Sequence, residues 1–258
     1  MSRKIVAIGG GENGRFLDNG EQTLYETESM DTEIIKLTGK LKPNYLFICH
    51  AMAFSSEIQD SYFETMKKIY GDKFGCECKH LCAKDLYDKN LVKQLVDWAD
   101  IIYEGGGDTL SMIRLWKETG FDNVLKDAWH NGKVICGISA GAVCWFNSCN
   151  SDCSDSEFTE VECLNWFDAF ITPHCDEDGR YESTVNQLRN NKKLGFMLSN
   201  CCALEIVDDK YKIISGNGNN RNFGKGYMYK AYWKNGKYYE IKLNEKEEFS
   251  SLFELMEM

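Results

Sequence analysis

The sequence predicts an α/β fold with a mostly parallel sheet covered by helices on both faces, followed by antiparallel hairpins near the C-terminus. Short apolar runs bounded by glycine alternate with helical patterns along most of the chain, which is typical of βαβ units. After about residue 200 the pattern changes to ALEIVDDKYKIIS and KGYMYKAYWKNGKYYEIKL, and the pair Asn235-Gly236 is typical of a two-residue hairpin turn.

The predicted elements follow each other in a regular order. The first four are the strand KIVAIGG (4–10), the helix ESMDTEIIKLTGK (28–40), the strand NYLFICHA (44–51) and the helix EIQDSYFETMKKIYGDKFG (57–75). The next four are the strand CECKHLC (76–82), the helix NLVKQLVDWAD (90–100), the strand IIYEGGG (101–107) and one long helix, DTLSMIRLWKETGFDNVLKDAWHNG (108–132). The strand KVICGIS (133–139) then leads into the helix AGAVCWF (140–146). Since no repeat or low-complexity linker interrupts this order, we predict a single domain over residues 1–258.

Composition and charge exclude several classes of protein. The chain has 258 residues, of which 43% are hydrophobic, enough to bury a substantial core. A net charge of −10 argues against a broad nucleic-acid-binding face. No run approaches the roughly 18 apolar residues that span a bilayer, and the apolar run at the N-terminus is too short for a signal peptide. Several of the 12 cysteines lie inside apolar runs, so we expect free thiols and a cytoplasmic location.

One group of cysteines invites a metal interpretation. Cys76, Cys78, His80 and Cys82 would share one face of a strand. Their spacing contains no C-x-x-C pair, so a plain strand is the favoured interpretation and no metal ligands are predicted.

The stretch GISAGA (137–142) places a serine between two glycines, after a predicted strand and before a predicted helix. A serine hydroxyl becomes a nucleophile only when a base and backbone N–H donors surround it. A strand-turn-helix elbow exposes the serine and aims the following N–H at a bound carbonyl. Ser139 is therefore the candidate nucleophile, although the motif alone also fits a tight turn.

Four histidines could supply the base. His174 follows the strand FDAFITP and precedes the polar loop CDEDGR, which is where a parallel sheet collects active-site groups. His130 ends a helix, where it would interact with the helix dipole. His50 ends a strand and is not excluded. We therefore predict His174 as the base.

Three glycines at 105–107 follow a strand directly and precede a helix. Glycine lets the backbone approach a ligand and turn N–H groups outward, although a loop that only needs positive φ would look the same.

Taken together, EGGGDT (104–109), GISAGA (137–142), TPHCD (172–176) and the IGGG opening (8–11) resemble peptidase family S51, the group of dipeptidase E and cyanophycinase. The resemblance extends over roughly residues 1–240. It implies a class I glutamine-amidotransferase-like three-layer fold in which serine replaces the amidotransferase cysteine. It also implies serine peptidase chemistry without metal or cofactor.

The resemblance implies a role for each of several residues. Ser139 matches the family's nucleophile and His174 its base, while the N–H groups of Gly107 and Ala140 match the oxyanion donors. Dipeptidase E removes N-terminal aspartate from dipeptides, and Arg180, in DGRYE, matches the arginine that binds the substrate carboxylate. Gly106 lies in the same glycine loop and is predicted to contact substrate.

The third member of the catalytic group is where the chain departs from the family pattern. The segment SDCSDSE (151–157) offers Asp152, Asp155 and Glu157. The segment GFMLSNCCALEI (195–206) has Asn200 where a glutamate is expected, and Glu205 falls one strand further on. Asp155 is the leading candidate and Asn200 the second, because an asparagine can orient an imidazole without giving it charge.

The predicted function is a cytoplasmic serine dipeptidase that acts on small peptides, with a preference for N-terminal aspartate. The alternative is a catalytically silent or differently specific protein on the same scaffold. The turn GGGENG (9–14) also matches G-x-G-x-x-G, but no helical pattern begins there, so a loop beside the active site is favoured over a nucleotide site. Neither a nucleic acid nor a membrane partner is expected, and the sequence leaves the oligomeric state open.

Overall fold

The computed structural model describes residues 1–15, 17, 19–152, 158–218 and 224–258. The strands are β1 (Lys4–Ile8), β2 (Asn44–Ile48), β3 (Glu77–His80), β4 (Ile101–Glu104), β5 (Val134–Ile138), β6 (Phe146–Ser151), β7 (Thr159–Glu162), β8 (Phe167–Thr172), β9 (Gly195–Leu198), β10 (Cys202–Val207), β11 (Lys210–Ser215), β12 (Asn217–Gly218), β13 (Gly224–Lys225), β14 (Met228–Lys234), β15 (Lys237–Leu243) and β16 (Ser250–Ser251).

The α-helices are α1 (Glu28–Leu37), α2 (Ser56–Lys67), α3 (Lys89–Trp98), α4 (Thr109–Thr119), α5 (Phe121–His130), α6 (Ala140–Val143), α7 (Arg180–Asn191) and α8 (Leu252–Met256). A π-helical turn, Lys68–Lys73, extends α2, and 3₁₀ turns cover His50–Met52 and Ala83–Tyr87. In the described part of the chain, no helix has both the length and the apolar character that crossing a membrane requires.

An eight-stranded sheet carries the predicted βαβ units in the order β3-β2-β4-β5-β1-β10-β11-β16. Its strands from β3 to β1 are mutually parallel, while β10, β11 and β16 pair antiparallel. The mixed α/β prediction is therefore confirmed, and the amidotransferase-like three-layer arrangement stays a prediction.

Alternation along the central strands buries both faces of this sheet. Val6 and Ile8 of β1 pack in one apolar cluster with Met30 of α1. Ile5 and Ala7 of the same strand belong to a larger cluster, shared with α3, α4, α5 and the second sheet. Burial on both faces explains why these strands read as continuous apolar runs.

A second sheet has six strands, in the order β7-β6-β8-β9-β14-β15. The sequence did not predict this sheet as a separate layer. β6, β8 and β9 are parallel, and the remaining pairs are antiparallel. The sequence of β6, FNSCNS, is too polar to suggest a strand, although five of its six residues, Phe146 and Ser148–Ser151, are buried.

The predicted C-terminal hairpins are confirmed. β10 and β11 pair through a turn at Asp208, and β14 pairs with β15 over seven residues. Asn235 and Gly236 have φ values of 52° and 76°, as a type I′ turn requires.

Some predicted boundaries were wrong. The long helix over 108–132 is divided at Gly120, whose φ of 70° in the left-handed region ends α4. The helix predicted over 140–146 ends at Val143, and Phe146 already begins β6. The strand at CECKHLC is confined to Glu77–His80.

Candidate active site

Ser139 lies between β5 and α6 in a conformation that few non-glycine residues adopt. Its φ is 55° and its ψ −114°, and its N–H donates to the Ile8 carbonyl at 3.0 Å. A Cβ on Gly137 or Gly141 would lie 2.5 or 2.2 Å from the Glu104 carbonyl oxygen. The two glycines therefore let the elbow pack directly on β4, while the strained serine is held by its surroundings.

His174 follows β8 and meets Ser139 from the second sheet. Its Nε2 lies 3.0 Å from Ser139 Oγ, and its N–H donates to the Gly9 carbonyl at 3.1 Å. The backbone of His174 also has positive φ, at 49°. A Cβ on Gly10 would lie 2.3 Å from the imidazole, so the IGGG opening leaves room for this ring.

Asn200, two residues after the end of β9, contacts the His174 nitrogen that does not face Ser139. Its Oδ1 lies 2.8 Å from His174 Nδ1. Its Nδ2 donates to Asp176 Oδ1 at 3.1 Å and to Glu177 Oε1 at 3.2 Å. Because carboxylates only accept, these bonds fix the amide orientation. His174 Nδ1–H then donates to Asn200, and Nε2 accepts the Ser139 hydroxyl proton.

The other candidates for the third position lie elsewhere or cannot be placed. Asp155, the leading prediction, and Glu157 lie outside the described residues. Glu205 is fully buried on β10 and lies 3.2 Å from Lys212 Nζ, and burial raises its pKa to about 7. Asp152 pairs with Arg180 at 2.6 Å.

The backbone N–H groups of Gly107 and Ala140, the predicted oxyanion donors, have no acceptor among the described residues. Gly107 has φ of 144°, and a Cβ there would lie 2.5 Å from the Ala51 carbonyl oxygen. Ala140 is the first residue of α6, so its N–H has no partner within the helix. Gly106, in the same glycine loop, lies close to Ser139, since a Cβ added there would be 3.9 Å from Ser139 Oγ.

Arg180 begins α7 and is 5% exposed, far more buried than a surface arginine. Its Nη2 donates to Asp152, its Nε lies 3.9 Å from Glu177 Oε2, and its guanidinium stands 4.8 Å from the Phe158 ring centre. Nε is buried without a hydrogen-bond partner. Glu177 thus lies between Arg180 and His174, whose Nδ1 is 3.4 Å from Glu177 Oε1.

Two other histidines lie away from this group. His50 is a core residue: its Nε2 donates to the Leu81 carbonyl, its Nδ1 accepts from Trp116, and burial lowers its pKa to about 3. His80 and Cys82 come together with Asp60 rather than with the predicted Cys76 and Cys78.

Asp60, His80 and Cys82 each offer one possible ligand atom, and these three atoms lie within 4.8 Å of one another. Cys82 Sγ is 3.5 Å from His80 Nδ1 and 3.9 Å from Nε2. The expectation of a plain strand without metal ligands stays a prediction.

Sequence reasoning missed three acidic residues near the candidate catalytic group. Asp176 and Glu177 looked like ordinary loop acids in CDEDGR. Glu104 is fully buried at the end of β4, where it accepts from the Ala51 N–H at 3.1 Å. Its Oε2 has no partner among the described residues, and burial raises its pKa well above the usual range. The glycine loop that follows it was the only available signal.

A serine hydroxyl that is hydrogen-bonded to an imidazole at a strand-to-helix turn is the arrangement typical of serine hydrolases. Comparison with known proteins is more specific: the chain belongs to peptidase family S51, whose model matches residues 16–214. The coarse prediction of a peptidase is therefore confirmed.

Individual relatives agree with this assignment. The chain is 30% identical over 210 residues to the uncharacterized peptidase YgaJ of Bacillus subtilis (strain 168), covering 81% of this chain and 85% of that protein. A peptidase from an acI-B1 Actinobacterium has a similar fold, with a TM-score of 0.73, 19% identity and 97% coverage of each chain. A protein assigned as peptidase E from Listeria monocytogenes EGD-e has a TM-score of 0.59 at 17% identity, covering 83% of this chain and 98% of its own.

Proposed function

We propose that this S51 peptidase is a serine-type enzyme that hydrolyses small peptides, with Ser139 as nucleophile and His174 as base. The observation that carries the proposal is the hydrogen-bonded series Ser139–His174–Asn200, whose serine stands at a strained strand-to-helix turn. The proposed oxyanion donors, the N–H groups of Gly107 and Ala140, have no acceptor in the described part of the chain. Nucleophile, base and orienting group are all within hydrogen-bond distance.

The chemistry follows from these positions. Ser139 Oγ attacks the scissile carbonyl carbon while its proton passes to His174 Nε2. The carbonyl oxygen, now an oxyanion, accepts hydrogen bonds from the Gly107 and Ala140 N–H groups. When the intermediate collapses, the C–N bond breaks and the leaving amine takes the proton from His174. A water molecule deprotonated by His174 then attacks the acyl-enzyme and releases Ser139.

Asn200 holds the imidazole in the required tautomer but carries no charge. The charge that stabilises an imidazolium in a Ser-His-Asp triad would here come from Asp176 and Glu177, which accept hydrogen bonds from the Asn200 amide. Asp155, the leading candidate from the sequence, lies outside the described residues.

The proposed preference for an N-terminal aspartate rests on Arg180. A buried guanidinium with an unpartnered Nε is a strong carboxylate receptor. Its present partner, the Asp152 side chain, is 63% exposed, so a substrate carboxylate could replace it.

The test is the turnover of Asp-Leu and Ala-Leu by wild type, Ser139→Ala and Arg180→Met. We expect Ser139→Ala to abolish hydrolysis of both dipeptides. Arg180→Met, which keeps the apolar stem, should reduce turnover of Asp-Leu at least about 10-fold relative to Ala-Leu.

The outcomes separate the levels of the proposal. Activity that persists in Ser139→Ala would exclude the serine mechanism. An unchanged preference in Arg180→Met would exclude the role of Arg180. A wild type without serine-dependent activity on either dipeptide would favour the silent or differently specific scaffold.

A further inference from the structure

The largest unexplained feature beside the candidate active site is a cavity of about 500 Å³ that includes Ile138, the residue before Ser139. Its walls come from the loop after β1, the 3₁₀ turn at His50–Met52 and α2. Its volume lies in the range typical of small-molecule sites.

The cavity and Arg180 belong to different elements of the fold. Arg180 starts α7 and reaches the catalytic group through Glu177 and His174, from the second sheet. The cavity reaches Ser139 through Ile138 and the loop after β1, from the first sheet. A dipeptide whose scissile carbonyl lies on Ser139 extends in two directions. If its N-terminal side chain binds Arg180, its second residue enters the cavity.

The walls of the cavity suit an apolar side chain. Met52, Ile58, Tyr62 and Ile138 present hydrocarbon and ring surface to it. Tyr62 is held in place by its contact with the glycine loop, since a Cβ on Gly105 would lie 2.7 Å from the Tyr62 ring. The apolar wall is therefore fixed relative to the candidate oxyanion donors.

The described residues that line the cavity include one cation. Arg15 lines it, together with the carboxylates of Glu12 and Glu57. Arg15 Nε lies 3.3 Å from Glu12 Oε2, so its bond to Glu12 uses the Nε edge of the guanidinium. In the described part of the chain no hydrogen bond uses the four N–H groups on the two Nη atoms, and these can bind an incoming carboxylate. Glu57 is exposed at the start of α2, at the edge of the cavity.

These observations together point to the leaving residue of the substrate. We propose that the cavity is the subsite for the leaving amino acid, with an apolar side chain against Ile58 and Tyr62 and a free α-carboxylate at Arg15. This inference rests on the proposed function and deepens it: a carboxylate occurs at this place only when the scissile bond is followed by a single residue. Arg15 would thus select dipeptides over longer peptides.

Binding tests this subsite without depending on turnover. In the Ser139→Ala background, which prevents hydrolysis, calorimetry measures the affinities for Asp-Leu and Asp-Leu-amide. We expect the parent to bind the acid at least about 10-fold more tightly than the amide, and Arg15→Gln to remove that difference by weakening the acid alone. Arg114→Gln, at an exposed position on α4, is the matched control and should change neither affinity.

Several results would overturn the subsite. Equal affinities of the parent for acid and amide would do so, as would an equal loss of both in Arg15→Gln. A requirement for Glu57, shown by weaker binding in Glu57→Gln but not in Arg15→Gln, would assign the cavity to the substrate ammonium instead. Failure of the proposed function appears separately, as wild-type turnover that does not depend on Ser139.

Discussion

At the scale of single residues, the position after β9 is the most informative. In a Ser-His-Asp triad a carboxylate contacts the imidazole, whereas here Asn200 contacts His174 and two carboxylates contact the Asn200 amide. The negative charges of Asp176 and Glu177 are thus separated from His174 by the Asn200 amide, which is hydrogen-bonded to all three side chains. The arrangement works only while the Asn200 Nδ2 remains a donor, because two acceptors converge on it.

This geometry predicts that restoring the usual acid will impair the enzyme. In Asn200→Asp, a third carboxylate would face Asp176 and Glu177 at about 3 Å and could not donate to either. We expect kcat for Asp-Leu at pH 7 to fall at least about 10-fold, with a lower melting temperature, because like charges at that distance repel strongly.

The double variant Asn200→Asp/Asp176→Asn serves as the control for that prediction. It restores a donor next to the new carboxylate, so activity should partly recover. If kcat of Asn200→Asp alone equals or exceeds that of the wild type, activity does not require the Asn200 amide to donate hydrogen bonds to Asp176 and Glu177.

At the scale of elements, the loops after strands bring the candidate site together. Ser139 and Gly107 follow β5 and β4 of the first sheet, whereas His174 and Asn200 follow β8 and β9 of the second. Each loop is anchored on its neighbour, as when the His174 N–H donates to Gly9. The glycines permit backbone contacts too close for any side chain.

Gly107 tests this element-level dependence. Gly107→Ala would place a methyl group 2.5 Å from the Ala51 carbonyl oxygen at a φ of 144°, so the loop must move and its N–H must turn away from Ser139. We expect kcat to fall about 100-fold or more, as when one oxyanion donor is lost, with a smaller change in KM.

Gly120→Ala is the matched control for Gly107→Ala. Gly120 also has positive φ, at 70°, but nothing lies within 4 Å of an added Cβ. We expect Gly120→Ala to lower the free energy of unfolding by about 1 kcal/mol and to leave kcat unchanged. Equal effects of the two substitutions on kcat would show that the glycine loop acts only through stability.

At the scale of the whole molecule, the buried Glu104 links the stability of the fold to the candidate site. Its carboxyl supports the turn at Ala51 from beneath the glycine loop, and burial raises its pKa. The folded state therefore retains a proton that the unfolded state releases above about pH 4.3. The stability that this group contributes is complete below that pH and declines as pH rises towards the folded-state pKa.

Glu104→Gln should remove this decline while keeping the oxygen that accepts from Ala51. Between pH 5 and pH 8, we expect the melting temperature of the variant to fall less than that of wild type, by about 3 °C or more. Thermal unfolding at both pH values measures this, with the exposed Asp178→Asn as control. Parallel melting curves for Glu104→Gln and wild type would mean that Glu104 is already ionised in the folded protein.

The sequence by itself determined the alternation of strands and helices, the C-terminal hairpins and the family, because periodicity and glycine motifs are local. It also singled out Ser139 and His174, since strand ends are visible as apolar runs that stop. It could not distinguish the second sheet from the first, because strand β6 is polar. It also could not identify Asp176 and Glu177, because they resemble any acidic residues of a loop. Only the tertiary structure placed Asn200 against His174 and Arg15 in a cavity beside Ile138. Those contacts join segments far apart in the chain, and their geometry depends on how the two sheets pack together.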